Sequence, residues 1–194
     1  MAAMSEPEVL AALTEARAIL SGHFQLTSGR HSDTYVQCAR VLEDPALTMR
    51  LAAAMVDRIG ERRIDLVISP AVGGIIIGFA VAQILGVRFI FTERLGGAMV
   101  LRRGFEIAAG ARVLVVEDVV TTGGSVAEVI GLVRAAGAEP MAVASLIDRG
   151  GPKAFDVELV PLLVLEVESW EAESCGLCLA GKPFYSPGSR RLSE

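Results

Sequence analysis

At 194 residues, 52% hydrophobic and 21% charged, the chain is long enough for one domain with a full core and too apolar to be disordered. Its net charge of -5 excludes a protein built chiefly to grip nucleic-acid backbones, though not a local basic patch for a small anion. Glu6 and Glu8 precede the first arginine, unlike the basic start of a secretory signal.

Residues 5–20 predict a helix: Val9, Leu13, Ala16 and Leu20 recur at helical spacing, Ser5 can cap the start and Gly22 can close the end. Asp44 followed by Pro45 opens a second helix running towards Ile59. Residues 64–69 read as a short apolar strand, 75–85 as a buried helix and 88–91 as another strand. The uncharged run 67–87 is long enough to span a bilayer. Ser69-Pro70, Gly73-Gly74 and Gln83 break it up, so a cytosolic protein without membrane contact is expected. Residues 112–116 form a third strand, and Ser125 is expected to cap a helix with Val126, Val129, Ile130 and Val133 on one face and Gly137 as its stop. Residues 141–147 and 159–167 supply two more strands. This alternation predicts an α/β fold, a mostly parallel central sheet flanked by helices, with its core over about 45–168. Residues 1–44 and 169–194 fall outside the alternation and are expected to form a small hood in the same single domain. Three cysteines, Cys38, Cys175 and Cys178, are an odd count that suits a reducing compartment. Cys175 and Cys178 have metal-knuckle spacing, but no second CxxC or HxxxH completes a ligand set. A plain tail turn is expected, with no protein-bound metal.

The segment Val113-Leu-Val-Val-Glu-Asp-Val-Val-Thr-Thr-Gly-Gly-Ser-Val126 puts two adjacent carboxylates at the end of an apolar run. Burying one without a partner costs several kcal/mol, and its like-charged neighbour hinders ionisation further. A structural role must find partners for Glu117 and Asp118; a functional role makes them the purpose of the segment. Ligands of open parallel sheets bind at the carboxyl ends of strands. There, Thr121, Thr122, Gly123, Gly124 and Ser125 lead into a helix whose free N–H groups and dipole favour an anion. Acids beside such a cradle accept hydrogen bonds from vicinal hydroxyls, so the ligand expected is a ribose 5-phosphate. No GxxxxGK[ST] is present and no GxGxxG follows the first strand; Gly73, Gly74 and Gly78 read as close packing and a turn.

This strand, acidic pair and Thr/Gly/Ser turn resemble the phosphoribosyl-diphosphate (PRPP) signature of the type I phosphoribosyltransferases. Further stretches are similar to the orotate phosphoribosyltransferases among them: Phe24-Gln-Leu-Thr-Ser-Gly-Arg-His-Ser32 (F-x-L-x-S-G-x-x-S), followed by Tyr35; Ser69-Pro-Ala-Val-Gly-Gly74; and Asp148-Arg149. The tail, with its cysteines and Pro187-Gly-Ser-Arg190, resembles one bacterial subgroup. The resemblance implies transfer of ribose 5-phosphate from PRPP to orotate, giving orotidine 5′-monophosphate and diphosphate in pyrimidine synthesis. It implies PRPP binding by Glu117, Asp118, Val119, Val120, Thr121, Thr122, Gly123, Gly124, Ser125 and Arg94. Glu117, Asp118 and Arg94 are the catalytic candidates, and Thr121, Arg149 and Tyr35 the orotate contacts. It also implies Mg²⁺ carried mainly by substrate oxygens and water, and a cytoplasmic homodimer with shared active sites.

The chain departs from the family pattern in its lysines. Thr27 stands where a Lys precedes Ser-Gly, and Val72-Gly73 where a Lys is common. The glycine-rich stretch 94–104 offers Arg94, matching the basic residue at the start of the family's catalytic loop, with Arg102 and Arg103 as possible diphosphate contacts. The loop is expected to open and close and to serve the neighbouring subunit. His31 reads as a polar loop residue. The rival readings are transfer to a purine or other base, and a non-catalytic PRPP-sensing regulator.

Overall fold

The computed structural model describes residues 4–26 and 28–186; Thr27 and the Pro187-Gly-Ser-Arg190 segment lie outside the described residues. Helix α1 (Glu6–Glu15) starts at Ser5, whose N–H and hydroxyl both donate to the Glu8 carboxylate, at 2.8 and 2.7 Å. The helix is shorter than its periodicity predicts. Arg17 takes a left-handed φ of 54°, and the Ala18 N–H turns back to the Leu13 carbonyl. Leu20 then pairs with Tyr35 in a hairpin of β1 (Ile19–Gln25) and β2 (His31–Val36), and Gly22 lies inside β1. Strand pairing with a later segment has overridden a weak helical pattern. After α2 (Ala39–Leu42), α3 (Pro45–Ile59) begins as expected: the Asp44 carboxylate accepts from the N–H groups of Ala46 and Leu47 at 2.8 and 3.2 Å.

The chain then runs through β3 (Leu66–Pro70), α4 (Gly74–Leu85), β4 (Arg88–Leu95), β5 (Ala98–Leu101), β6 (Arg112–Val120), α5 (Gly124–Ala135), β7 (Glu139–Asp148) and β8 (Leu159–Val164). The strands lie in the order β5-β4-β3-β6-β7-β8, parallel except for the β4–β5 hairpin. Leu114 and Val116 face a core shared with α1, α3 and α4, while Val113 and Val115 face α5. Burial on both faces is why β6 reads as an unbroken apolar run.

Some boundaries differ from expectation. β6 continues to Val120, so Glu117 and Asp118 are strand residues. Most of the 94–104 stretch is a strand hairpin, with Gly96 and Gly97 at φ 58° and 89° between β4 and β5. Gly123, not Ser125, is the N-cap of α5; Ser125 is its second residue.

From β3 the chain crosses through α4 to β4 on one side, and from β6 through α5 to β7 on the other. β3 and β6 are neighbours, so a crevice opens at their carboxyl ends, where the winding reverses. The hairpin β1–β2 is tied to the tail: His31 and Trp170 exchange backbone hydrogen bonds at 2.8 Å, and the Tyr185 N–H donates to the His23 carbonyl at 2.8 Å. The tail adds a 3-10 turn (Ala172–Ser174) and α6 (Gly176–Leu179). Val9 and Leu13 of α1 belong to the main core, so the layer that the hairpin and tail make is narrower than residues 1–44 with 169–194. His31 is buried at the start of β2 rather than in a polar loop. No helix among the described residues is long and apolar enough to cross a membrane.

Candidate active site

The last residues of β6 and the turn into α5 surround a cavity of about 520 Å³, walled by Glu117, Val119, Val120, Thr121, Thr122, Gly123, Gly124, Ser125 and Arg94. The first intrahelical bond of α5 is from the Ala127 N–H to the Gly123 carbonyl at 2.8 Å. The N–H groups of Gly124, Ser125 and Val126 are therefore left for a ligand. Gly123 has φ 77°, and a Cβ there would come within 2.3 Å of the Phe155 ring, so no other residue fits this turn.

Glu117 is buried, and burial pushes its carboxyl well above the ordinary carboxylate range, with the Asp118 charge adding to the shift. Among the described residues neither acid has an ion-pair partner. The Asp118 N–H donates to Glu117 at 3.2 Å and the Val119 N–H to Asp118 at 2.8 Å, local bonds that leave most of their accepting capacity open. The pair is costly to the empty fold, which favours a ligand over a structural role.

Asp118 does not wall this cavity; its carboxylate meets the loop after β3. A Cβ on Gly73 would lie 2.6 Å from Asp118 Oδ1, and one on Gly74 would lie 2.8 Å from the Val116 carbonyl. The close packing expected of these glycines thus brings their backbone against the acidic pair. Gly73 has an ordinary helical φ of -57°, so alanine strains nothing but the Asp118 side chain. Gly73→Ala is expected to leave thermal unfolding unchanged and to lower kcat roughly 10- to 100-fold by displacing that carboxylate; steady-state kinetics beside a melting curve test it.

A second cavity of about 560 Å³ adjoins the first, because Thr121 and Thr122 wall both. Tyr35 from β2 and Arg149 after β7 line it, with Gly150, Gly151 and Pro152. Arg149 is half-buried, and loss of water pulls its pKa down while the nearby Tyr35 opposes that. Asp148, its rival partner by sequence, is taken by Lys153 at 2.6 Å and by the Gly150 N–H at 2.9 Å. Arg149 has no acid partner among the described residues. Sequence reasoning missed Gln25 and Arg30 of the second cavity, and the hold of Lys153 on Asp148. Arg30 lines the second cavity and donates through Nε to Ser169 Oγ at 2.9 Å, a tail contact with no local sequence signal. Ser28 lines it too, and the Ser-Gly of the N-terminal segment was its clue.

The candidate cations separate. Arg94 bonds Glu128 on α5 at 2.8 Å and reaches Ser125 Oγ at 3.5 Å, so it faces the turn of its own chain. Arg103 pairs with Glu93 at 2.9 Å and lies over the Phe91 ring at 5.6 Å, held against its hairpin rather than in either cavity. Arg102 has no ion-pair partner among the described residues and lines neither cavity.

A family model described as Phosphoribosyl transferase domain matches residues 38–173. The orotate phosphoribosyltransferase of Heliobacterium modesticaldum is 51% identical over 190 residues, covering 96% of this chain and 100% of the relative. That of Acidithiobacillus ferrooxidans is 50% identical, with 98% and 100% covered. Among solved structures, orotate phosphoribosyltransferase from Aeropyrum pernix superposes with TM-score 0.69 at 28% identity, covering 81% of this chain and 94% of its own. The chain belongs to the phosphoribosyl transferase family, on its orotate phosphoribosyltransferase branch.

Proposed function

We propose that the protein transfers ribose 5-phosphate from PRPP to N1 of orotate, releasing diphosphate. The observation that carries this reading is the wall shared by the two cavities: an anion cradle walled by Glu117 meets, at Thr121 and Thr122, a pocket lined by Arg149, which has no acid partner among the described residues. The 5-phosphate sits on the turn before α5, and the ribose hydroxyls donate to Glu117 and Asp118. As the C1–diphosphate bond breaks, positive charge grows on the ribose ring, and the ionised acids stabilise it. Arg149 grips the orotate carboxylate in two-pronged fashion and aims N1 at C1. A purine lacks that carboxylate, so a panel of bases tests the reading: diphosphate release from PRPP is expected with orotate and not with adenine, guanine or uracil. Release with adenine but not orotate overturns it.

Mg²⁺ would be carried mainly by substrate oxygens and water, and would supply charge neutralisation for the leaving diphosphate. Glu117 and Asp118, hard oxygen donors without cationic partners among the described residues, would suit such an ion beside them. Activity is expected to vanish with a chelator and return with excess Mg²⁺.

The working unit is a homodimer in the cytoplasm, where Cys38, Cys175 and Cys178, none of them in a disulfide, stay reduced. Val72, Ile76 and Phe79 are exposed on the loop before α4 and on its outer face, an apolar stripe for a second copy to cover. Arg94 contacts Glu128 and Ser125 of its own chain, so we rest the shared site on Arg102. Asp118→Ala and Arg102→Ala chains, each nearly inactive, are expected to regain activity in mixed dimers; if heterodimers form and none returns, the hairpin serves its own subunit.

A further inference from the structure

Outside both cavities, the hairpin and tail bring together four side chains that share no local pattern: His23 of β1, His31 of β2, Cys175 just before α6 and Cys178 within it. One donor atom from each lies within 4.8 Å of all the others. His23 Nε2 is 2.9 Å from His31 Nδ1, Cys175 Sγ is 3.5 Å and Cys178 Sγ 3.7 Å from His23 Nε2, and Cys178 Sγ is 3.2 Å from His31 Nδ1. We propose that these residues hold one Zn²⁺ in a tetrahedral two-histidine, two-cysteine site that staples the N-terminal hairpin to the C-terminal tail.

The spacing fits the ion. Zinc takes nitrogen at about 2.0–2.1 Å and sulfur at about 2.3 Å, so the edges of its tetrahedron run to about 3.3–3.8 Å. Four of the six donor separations, at 2.9–3.7 Å, lie near those edges, and all six are within 4.8 Å, close enough for small side-chain adjustments to admit the metal. The tautomer fits as well. His23 Nδ1 lies 2.8 Å from the Lys182 carbonyl, which can only accept, so that nitrogen carries the proton and Nε2 turns a lone pair on the cluster. A backbone carbonyl behind a ligating imidazole is the usual second support of a zinc site.

The chemistry of the donors selects the same ion. Cys175, His23 and His31 are buried, and Phe184 lies against both imidazoles at centroid distances of 5.7 and 4.8 Å. A thiol is a weak donor and weak acceptor, so an S–H/imidazole cluster leaves buried polar atoms poorly satisfied. One borderline-soft cation satisfies all four, and two sulfurs with two nitrogens favour zinc over the magnesium of the phosphate chemistry. The position gives the ion work to do. The stapled hairpin carries Leu26, Ser28, Arg30 and Tyr35 to the second cavity, and the stapled tail follows Val167 and Ser169 of its wall.

Protein purified without chelator is expected to contain a single equivalent of zinc per chain by elemental analysis. After zinc removal under reducing conditions, cobalt(II) is expected to restore a saturable spectrum with tetrahedral d–d bands and thiolate charge transfer. Cys178→Ser and His31→Gln should lose the zinc, while Cys38→Ser, at a buried cysteine outside the cluster, should keep it. Zinc loss should lower the melting temperature and raise the orotate KM more than the PRPP KM; that kinetic arm alone rests on the proposed reaction. Absence of zinc after zinc-supplemented expression, together with no tetrahedral cobalt spectrum, overturns the site. So does full zinc content in both ligand variants, or a Cys175–Cys178 disulfide in metal-free, freshly isolated protein. The spectrum of the unmodified chain decides the matter even if the variants fail to fold. Zinc found in a chain that does not use orotate upholds the site and sinks the reaction, so the two failures are separable.

Discussion

Glu117→Gln is expected to lower kcat by roughly 10²- to 10³-fold while raising the melting temperature of the ligand-free protein. The catalytic loss follows from removing a negative charge that faces the cationic ribose of the transition state. The stability gain follows from the same carboxylate in the empty site. Its folded pKa lies well above the ordinary value of 4.5, because burial and Asp118 disfavour the charged form. The folded protein therefore binds the proton more tightly than the unfolded chain does. This group's favourable contribution is present at low pH and is lost as pH rises from the ordinary value through the folded one. An amide does not titrate, so the gain from Gln should be larger at pH 8 than at pH 5. Differential scanning calorimetry at both pH values, without PRPP, measures it. A variant that melts lower at both would show that Glu117 supports the fold.

Arg149→Lys is expected to raise the orotate KM by roughly 10- to 150-fold, the equivalent of the about 1.5–3 kcal/mol carried by hydrogen bonds to a charged group. The PRPP KM should move less than about threefold, because the phosphate turn on β6 and α5 is built without Arg149. The reason lies in the fork. A guanidinium presents two parallel N–H groups to a carboxylate, whereas an ammonium offers a point charge. Arg149 is already half stripped of water and has no acid among the described residues to retreat to, so an incoming carboxylate completes it. Equal rises in both KM values would place Arg149 in general support of the fold.

That Glu117 and residues 119–125 meet in one cavity was legible because its parts are contiguous. Strand, acids, turn and helix start follow one another in residues 112–125, and each has a local signature: a doubly buried apolar run, charges at a strand end, glycines where φ turns positive. The place of Arg149 directly after β7 was legible for the same reason, and the structure puts it in the second cavity. The hairpin β1–β2 was not, since Val9, Leu13, Ala16 and Leu20 mimic a helix until Leu20 finds Tyr35 across the ladder. The pairing of Arg94 with Glu128 was not legible, because Glu128 lies on α5, two strands further along the chain.

By itself the sequence determined the alternating α/β class, the strand carrying the acidic pair and the turn that leads from it into a helix. Those properties reside in periodicity, capping and backbone freedom within a few residues. Tertiary structure alone decided which cations reach the cradle, that Gly73 presses against Asp118, and that His23 and His31 stand beside Cys175 and Cys178. Each joins residues far apart in the chain, and only the folded path of the backbone sets which distant side chains come within bonding distance.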